Sequence, residues 1–167
     1  VPALFTFGVY GVYAWILGNE KWSDYFLFYL VTPGTKNLYL YTGEVSIFCA
    51  AVIGACLGFL WFNAYPAEVF MGDTGSLFLG GVIGSLIVLI KQEILFFLVG
   101  GIFLAEFVSV LVQDYIGIRL LGRRIFYRAP LHHTFQHRGL AETKIVVRFW
   151  IISGILALVA LATIKIR

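Results

Sequence analysis

Residues 45–67 read VSIFCAAVIGACLGFLWFNAYPA and carry no charged side chain. A helix needs about 20 mostly apolar residues to cross the roughly 30 Å of hydrocarbon in a bilayer. Lipid offers no hydrogen-bond partners, so a crossing segment must satisfy its own backbone groups, as an α-helix does. This stretch therefore predicts a membrane-spanning α-helix, and it decides the fold class of the chain.

The same pattern recurs on both sides of this stretch. Hydrophobic residues make up 60% of the 167 residues and charged residues 13%, which leaves too little polar surface to cover a water-soluble globule. We predict an all-α, polytopic transmembrane helix bundle that forms a single domain over residues 1–167. Its predicted spans cover residues 1–17, 45–62, 76–91, 94–113 and 145–164. The aromatic segment Asp24–Pro33 is too short to cross and is predicted to lie at the membrane interface or to insert halfway.

Two pairs of glycines have the four-residue spacing that lets helices approach each other closely. Gly54 and Gly58 lie in the second predicted span, and Gly80 and Gly84 lie in the third. Such spacing removes side chains from one strip of a helix, although it also arises by chance in glycine-rich spans. The pairs therefore give weak support to helix contacts at these positions.

The distribution of charge predicts which side of the membrane each loop faces. Counting spans places the loops Asn63–Gly75 and Asp114–Lys144 on the same side. The second loop holds six of the 12 lysine and arginine residues, and positive charge favours the cytoplasmic side. Its segment Tyr115–Arg128 either lies against the anionic headgroups of the membrane lipids or simply extends the fourth span. Nucleic-acid binding is disfavoured, because this basic cluster is short and lies between spans.

The first cytoplasmic loop places a carboxylate at a helix entrance. Residues 71–76 read MGDTGS, so that Asp73 is flanked by Gly72 and Gly75. A carboxylate at this place can hold a hard cation while backbone N–H groups of the helix face phosphate oxygens. An ordinary helix cap explains Asp73 as well, and for this motif on its own the cap is the favoured interpretation.

The second cytoplasmic loop holds all three histidines of the chain, within residues 129–137, APLHHTFQH. Histidine can bind phosphate, bind a metal or transfer a proton, so these side chains favour a phosphate-handling site on the same face as Asp73. A solvated polar loop is the alternative, and zinc is disfavoured because no cysteine lies near. Glu106 lies inside a predicted span, which indicates either a functional group or a buried hydrogen bond to a neighbouring helix.

Three segments together resemble a known enzyme family. They are residues 63–76, residues 129–133, which read APLHH, and residues 146–153, which read VVRFWIIS. In this order and at this spacing they closely resemble the C-terminal half of the phospho-N-acetylmuramoyl-pentapeptide transferases, within the polyprenyl-phosphate sugar-1-phosphate transferase superfamily. The resemblance extends over essentially the whole chain.

The resemblance implies a Mg²⁺-dependent phosphoglycosyl transferase of the bacterial inner membrane, with its site facing the cytoplasm and about ten spans in the complete protein. Such an enzyme transfers phospho-N-acetylmuramoyl-pentapeptide from its UDP carrier, UDP-MurNAc-pentapeptide, to undecaprenyl phosphate and releases UMP. This is the first membrane step of peptidoglycan synthesis. A homodimer is also implied. The family's paired aspartates belong to the N-terminal half, so this chain alone is expected to be inactive without that half.

The resemblance also implies roles for the charged and imidazole side chains of the two loops. Asp73 matches the magnesium-binding, catalytic aspartate of the family. His132 and His133 match the first two members of its histidine motif, and His132 is expected to be catalytic while His133 binds substrate. Thr134 stands where the family has a third histidine. Either His137 compensates for this difference, or the third position only shapes the loop.

Three further residues match substrate-binding positions of the family. Phe70 matches a residue that packs on the uracil ring, Gln113 matches a glutamine that contacts uracil, and Asn63 matches a polar residue of the site. An aromatic face can stack on a base, and an amide can pair with its polar edge. A membrane-interface aromatic is the alternative for Phe70.

Two other functions are compatible with the same pattern. A related transferase that uses a UDP-N-acetylhexosamine shares the membrane chemistry, although the APLHH and VVRFW segments are closer to the muramoyl family. A transporter or a non-catalytic membrane subunit would instead use Glu106 and the interrupted spans to line a path, and it would be expected to repeat this hydropathy pattern in the complete protein.

Overall fold

The computed structural model describes residues 1–26, 39–126 and 129–165, and within these ranges the chain is helical without strands. The predicted all-α class is confirmed. A π-helical segment, Val112–Leu120, continues α6, and a 3₁₀ turn, Thr163–Lys165, follows α8. The α-helices are α1 Pro2–Leu17, α2 Glu20–Tyr25, α3 Tyr39–Asn63, α4 Asp73–Ile90, α5 Glu93–Val99, α6 Gly101–Leu111, α7 Leu131–His137 and α8 Glu142–Ala162.

Four helical segments are long and apolar enough to cross a membrane: Thr42–Asn63, Asp73–Ile90, Gly101–Leu120 and Glu142–Ala162. The apolar helix α1 is shorter, with 16 residues, or about 24 Å at the rise of an α-helix. This set of helices confirms a multi-pass helical bundle. The aromatic segment Asp24–Pro33 lies largely outside the described residues.

The fourth apolar segment does not follow the bounds expected from hydropathy. A break at Gly100 separates α5 from α6, and the long apolar segment begins at Gly101 and continues to Leu120. A Cβ built at Gly100 would lie 2.5 Å from the ring of Phe96. The ring of Phe96 therefore folds back onto the backbone of Gly100, in space that only a glycine leaves open.

The helix α1 lies at the centre of the bundle and contacts α3, α4, α5 and α8. On one side, Tyr13 belongs to a buried cluster with Ala157 of α8. On the other side, Phe7 packs in a second cluster with Cys49 of α3 and Ile83 of α4. Lipid is as apolar as these side chains, so close van der Waals packing holds the helices together here.

Two tyrosine hydroxyls of α1 form hydrogen bonds with neighbouring segments. The Oη of Tyr10 donates a hydrogen bond of 2.9 Å to the carbonyl oxygen of Gln92, between α4 and α5. The Oη of Tyr13 donates to the carbonyl oxygen of Ala160 at 3.2 Å and lies 3.0 Å from Oγ1 of Thr163. A buried hydroxyl needs such a partner, so these bonds fix the position of α1 along its neighbours.

The close helix approach of this bundle lies at glycines other than the predicted pairs. A Cβ built at Gly18 would lie 2.5 Å from the backbone nitrogen of Gly43 and 2.6 Å from its Cα. By contrast, a Cβ built at the paired glycines would meet no atom of the described chain within 4 Å; those glycines are Gly54, Gly58, Gly80 and Gly84. The expected contacts at these pairs are therefore wrong for the described part of this chain, because no neighbouring helix described here comes within contact distance of their bare strips.

We expect Gly18→Ala to lower the free energy of unfolding by about 1–3 kcal/mol, because the new methyl group meets backbone atoms that cannot rotate away. The measurement is thermal unfolding in one detergent. Gly54→Ala is the matched control; it adds the same methyl group in open space, so its Tm should stay level or rise. Equal Tm values for wild type and Gly18→Ala would contradict the close approach of α1 and α3.

Candidate functional site

The loop between α3 and α4 is tied back onto the end of α3. The Nδ2 of Asn63 donates a hydrogen bond of 2.6 Å to the carbonyl oxygen of Val69. The backbone N–H of Glu68 donates to the carbonyl oxygen of Phe62 at 2.9 Å. Phe70 follows directly, and 80% of its surface is exposed. The loop therefore presents the Phe70 ring outward, and the predicted site residue Asn63 holds the loop in shape.

Asp73 is the first residue of α4, and its carboxylate does not cap the helix. The N-cap is Gly72, in an extended conformation, and no side-chain hydrogen bond caps this end. Ser76 donates its Oγ hydrogen bond to the backbone carbonyl of Asp73 at 3.0 Å. The interpretation of Asp73 as a helix cap is therefore wrong. Its exposed carboxylate makes no hydrogen bond or ion pair within the described ranges, and it lies at the positive end of the helix dipole.

Asp73 on its own fits Mg²⁺ as one ligand of several. Mg²⁺ is usually held by one or two carboxylates together with substrate phosphates and water. Among the residues that the structure describes, no three His, Cys, Asp or Glu side chains lie close enough to hold a metal together. No hydrogen bond or ion pair joins Asp73 to His132 or His133 in these residues. If Asp73 held Mg²⁺, most of the other ligands would therefore have to be phosphate oxygens and water.

An apolar groove of about 650 Å³ begins one helical turn from Asp73. Asn63 and Ser76 line its polar end. It continues past Gly80 and Gly84, which explains why a Cβ at these two glycines would meet nothing, and it reaches Phe96 and Phe103 among other residues. The groove is therefore mostly apolar, and its polar residues Asn63 and Ser76 lie where α3 ends and α4 begins, one helical turn from Asp73.

The helix α7 carries the two neighbouring histidines, and they have different surroundings. The Nδ1 of His132 lies 3.0 Å from Oε2 of Glu106, and the backbone N–H of His132 donates to Oε1 of Glu106 at 3.2 Å. The Nδ1 of His133 lies 2.8 Å from Oε1 of Gln136, in an exposed position. The two imidazole rings are 4.1 Å apart. His132 is therefore attached to the bundle, whereas the contacts of the His133 ring among the described residues stay within its own short helix.

Thr134 is buried, whereas the neighbouring His133 is exposed. Thr134 is 7% exposed, while the ring of the next residue, Phe135, packs edge to face with Phe149 of α8 at 6.5 Å. Phe149 belongs to the VVRFW segment, so this segment supports α7 by packing against Phe135. The burial of Thr134 favours a role in shaping the loop, and His137 is exposed at the last residue of α7.

Gln113 is buried at the start of the π-helical segment, where its side chain holds a later part of the chain. Its Oε1 accepts hydrogen bonds from the backbone N–H groups of Ile125, at 3.2 Å, and Phe126, at 2.9 Å. Only the amide N–H groups of Gln113 therefore remain to face a ligand. Its contact with uracil stays a prediction, and in such a contact the Gln113 amide would donate hydrogen bonds through its N–H groups.

Sequence reasoning missed the partners of Glu106 and Gln113. Glu106 was recognised as an ionisable group in a span, with a function or a buried hydrogen bond as the alternatives, and the structure supplies the hydrogen bond. Its partner His132 is 26 residues away. A separation of this size leaves no periodic signal, so the position of a charge in an apolar run was the only available hint.

Comparison with known proteins finds a matching family model and relatives that carry the name of the enzyme family that the sequence resembles. A family model described as glycosyl transferase family 4 matches residues 2–91. Proteins named phospho-N-acetylmuramoyl-pentapeptide-transferase from Rickettsia massiliae (strain Mtu5) and Rickettsia akari (strain Hartford) are each 50% identical to the chain over 167 residues. The match covers 100% of this chain and 44% of each relative, in the C-terminal portion. The chain thus spans less than half the length of these curated relatives.

We expect Gln113→Leu to speed hydrogen exchange at the backbone amides of Ile125 and Phe126 by roughly 5- to 30-fold, since each loses an acceptor worth about 1–2 kcal/mol. Gln113→Glu keeps an oxygen at the same place and should retain most of the protection. Exchange at these amides, followed by mass spectrometry or NMR, is the measurement. Unchanged exchange in the leucine variant would show that Gln113 does not hold this turn.

Proposed function

The chain belongs to glycosyl transferase family 4, and on that premise we propose that it forms the C-terminal part of a membrane phosphoglycosyl transferase. The proposed reaction transfers phospho-N-acetylmuramoyl-pentapeptide from its UDP carrier to undecaprenyl phosphate and releases UMP. The observation that carries this proposal is the exposed carboxylate of Asp73, which has no partner among the described residues and lies one helical turn before Ser76 at the edge of an apolar groove. The name of the Rickettsia relatives, phospho-N-acetylmuramoyl-pentapeptide-transferase, supports the same reaction.

The proposed chemistry is a displacement at phosphorus. An oxygen of the lipid phosphate attacks the phosphorus next to the sugar, and the bond from that phosphorus to the oxygen bridging to UMP breaks. Asp73 would hold Mg²⁺, which when bound neutralises charge on the diphosphate. The Asp73 carboxylate suits this role because no described side chain occupies it.

The groove supports a lipid acceptor. Its walls are apolar along Gly80, Gly84 and Phe103, and Asn63 and Ser76 supply polar groups where α3 ends and α4 begins. A prenyl phosphate has the same polarity, with a long hydrocarbon chain and one charged end. We place the chain of undecaprenyl phosphate along the groove, so that its phosphate lies near Asp73 on the cytoplasmic side of the bacterial inner membrane.

The exposed ring of Phe70 and the amide of Gln113 suit a nucleotide. An aromatic ring exposed over most of its surface can stack on uracil, and the free N–H groups of Gln113 can donate to a uracil carbonyl oxygen. His132 would contact a phosphate or carry a proton, and His133 would bind substrate from its exposed position. The N-terminal half of the protein would complete the site, and the assembly is proposed to be a homodimer.

A transporter is less compatible with the arrangement of Glu106. A path for a solute needs polar groups that face open space, whereas both carboxylate oxygens of Glu106 are bound by His132. Glu106 is therefore a bound structural group in this chain, which removes the main sequence feature that favoured a transporter.

In the complete protein, we expect Asp73→Asn to lower kcat by on the order of 100-fold or more, because the neutral amide binds Mg²⁺ poorly. Release of UMP at saturating Mg²⁺ is the measurement. Glu68→Gln removes an exposed carboxylate from the same loop and should keep normal activity. A fully active Asp73→Asn protein would rule out the proposed metal role.

A second prediction concerns the sugar substrate. Supplied with radiolabelled UDP-MurNAc-pentapeptide or a UDP-N-acetylhexosamine, the complete protein should form lipid-linked product from the muramoyl substrate only. Thin-layer separation of the lipid products is the measurement. Product from the hexosamine substrate alone would identify the related transferase instead, and Asp73→Asn should abolish product in either case.

A further inference from the structure

We propose that Glu106 is the positioning residue of His132, and that it fixes the imidazole so that Nε2 faces the substrate. This inference rests on the proposed function, since it concerns the same phosphate-transfer site. It follows from three features of the structure: a two-point contact, the low polarity of the surroundings of Glu106, and the contrast with the neighbouring His133.

The contact between the two residues uses both oxygens of the carboxylate. Oε2 lies 3.0 Å from the ring Nδ1 of His132, and Oε1 accepts the backbone N–H of the same residue at 3.2 Å. One contact alone would leave the ring free to turn or the helix free to shift. Together the two contacts fix the ring of His132 and the start of α7 relative to α6.

The surroundings of Glu106 make this pairing costly to break. The residue lies in the apolar segment Gly101–Leu120, and its side chain is only 20% exposed. Within the described part of the chain, its carboxylate makes no hydrogen bond other than those to His132. A carboxylate in an apolar segment needs a partner, and here one residue supplies every partner.

The pairing determines which ring nitrogen carries the proton. An ionised carboxylate can only accept hydrogen bonds, so Nδ1 of His132 must be the donor. In the neutral ring, Nε2 then has a free lone pair. The side chain of His132 is 39% exposed, and since Nδ1 is held by Glu106, we infer that Nε2 is the ring nitrogen that meets a ligand. A carboxylate fixes the tautomer and orientation of a catalytic or metal-binding histidine in the same way in other enzymes.

Among the residues that the structure describes, His133 has no equivalent anchor. Its Nδ1 meets Gln136 of the same seven-residue helix, α7, and an amide oxygen on an exposed side chain does not tie the ring to the bundle. We therefore assign the oriented role to His132. Its Nε2 can accept a proton from a hydroxyl of the lipid phosphate. The phosphate oxygen keeps the electron pair of the broken O–H bond and attacks the phosphorus next to the sugar. The imidazolium that forms is held by Glu106.

The first test is made on the complete wild-type protein, by ¹⁵N NMR of its histidine side chains, with His132→Gln used to assign the signal. The expected result is a His132 ring protonated at Nδ1. A neutral His132 protonated at Nε2, or an equal mixture of the two tautomers, would overturn the proposal. This test needs no activity, so it is independent of whether the proposed reaction is correct.

The second test compares Glu106→Gln with Glu106→Asp and with the control Glu93→Gln. Glu93 is exposed on α5 and lies outside the proposed site, so its variant should behave as wild type. We expect Glu106→Gln to lower kcat for UMP release by roughly 10- to 100-fold with KM for the UDP substrate changed less than about three-fold. Glu106→Asp, which keeps the charge, should recover part of this loss.

The decisive comparison places Glu106→Gln in a His132→Ala background. If Glu106 acts through His132, its substitution should change the residual kcat less than about two-fold there. An undiminished loss in that background would show that Glu106 acts independently of His132. An inactive wild-type protein would defeat the proposed function, whereas an active wild type with a fully active Glu106→Gln variant would defeat this inference alone.

Discussion

A bilayer core supplies no hydrogen-bond partners, so every polar group carried into these helices must find one within the protein. The arrangement of the bundle follows from this requirement. Tyr10 and Tyr13 of α1 place their hydroxyls on carbonyl oxygens next to α5 and at the end of α8. Glu106 of α6 binds His132. Each of these bonds joins segments distant in sequence, so the satisfaction of polar groups also selects which helices become neighbours.

Close packing around α1 adds to the stabilisation that these hydrogen bonds provide. Phe7 and Cys49 are fully buried on the side of α3 and α4, and the backbone of Gly18 lies against that of Gly43. In contrast, Gly80 and Gly84 border an apolar groove. The groove matters because it brings a lipid-compatible surface next to Asp73, where α4 begins.

The candidate site consists of two parts attached to the bundle by different means. The loop that carries Phe70 and Asp73 is held by Asn63 at the end of α3. The helix that carries His132 is held by Glu106, and Phe149 supports it from α8. The anchoring side chains thus shape the site, while Phe70 and Asp73 remain exposed to a ligand. The part of the relatives' length that this chain does not span would supply the remaining groups.

Local features of the sequence were enough to predict the helical membrane class, the approximate apolar segments and the loops that carry Asp73 and His132. These features depend on hydrophobicity over about 20 consecutive residues or on short motifs, and both are local properties. Three contacts became visible in the folded chain alone: Glu106 binds His132, Gln113 holds residues 125 and 126, and Gly18 rather than Gly54 meets another helix. Such pairs depend on how all the helices pack at once, and hydropathy or spacing along the chain carries no record of that packing.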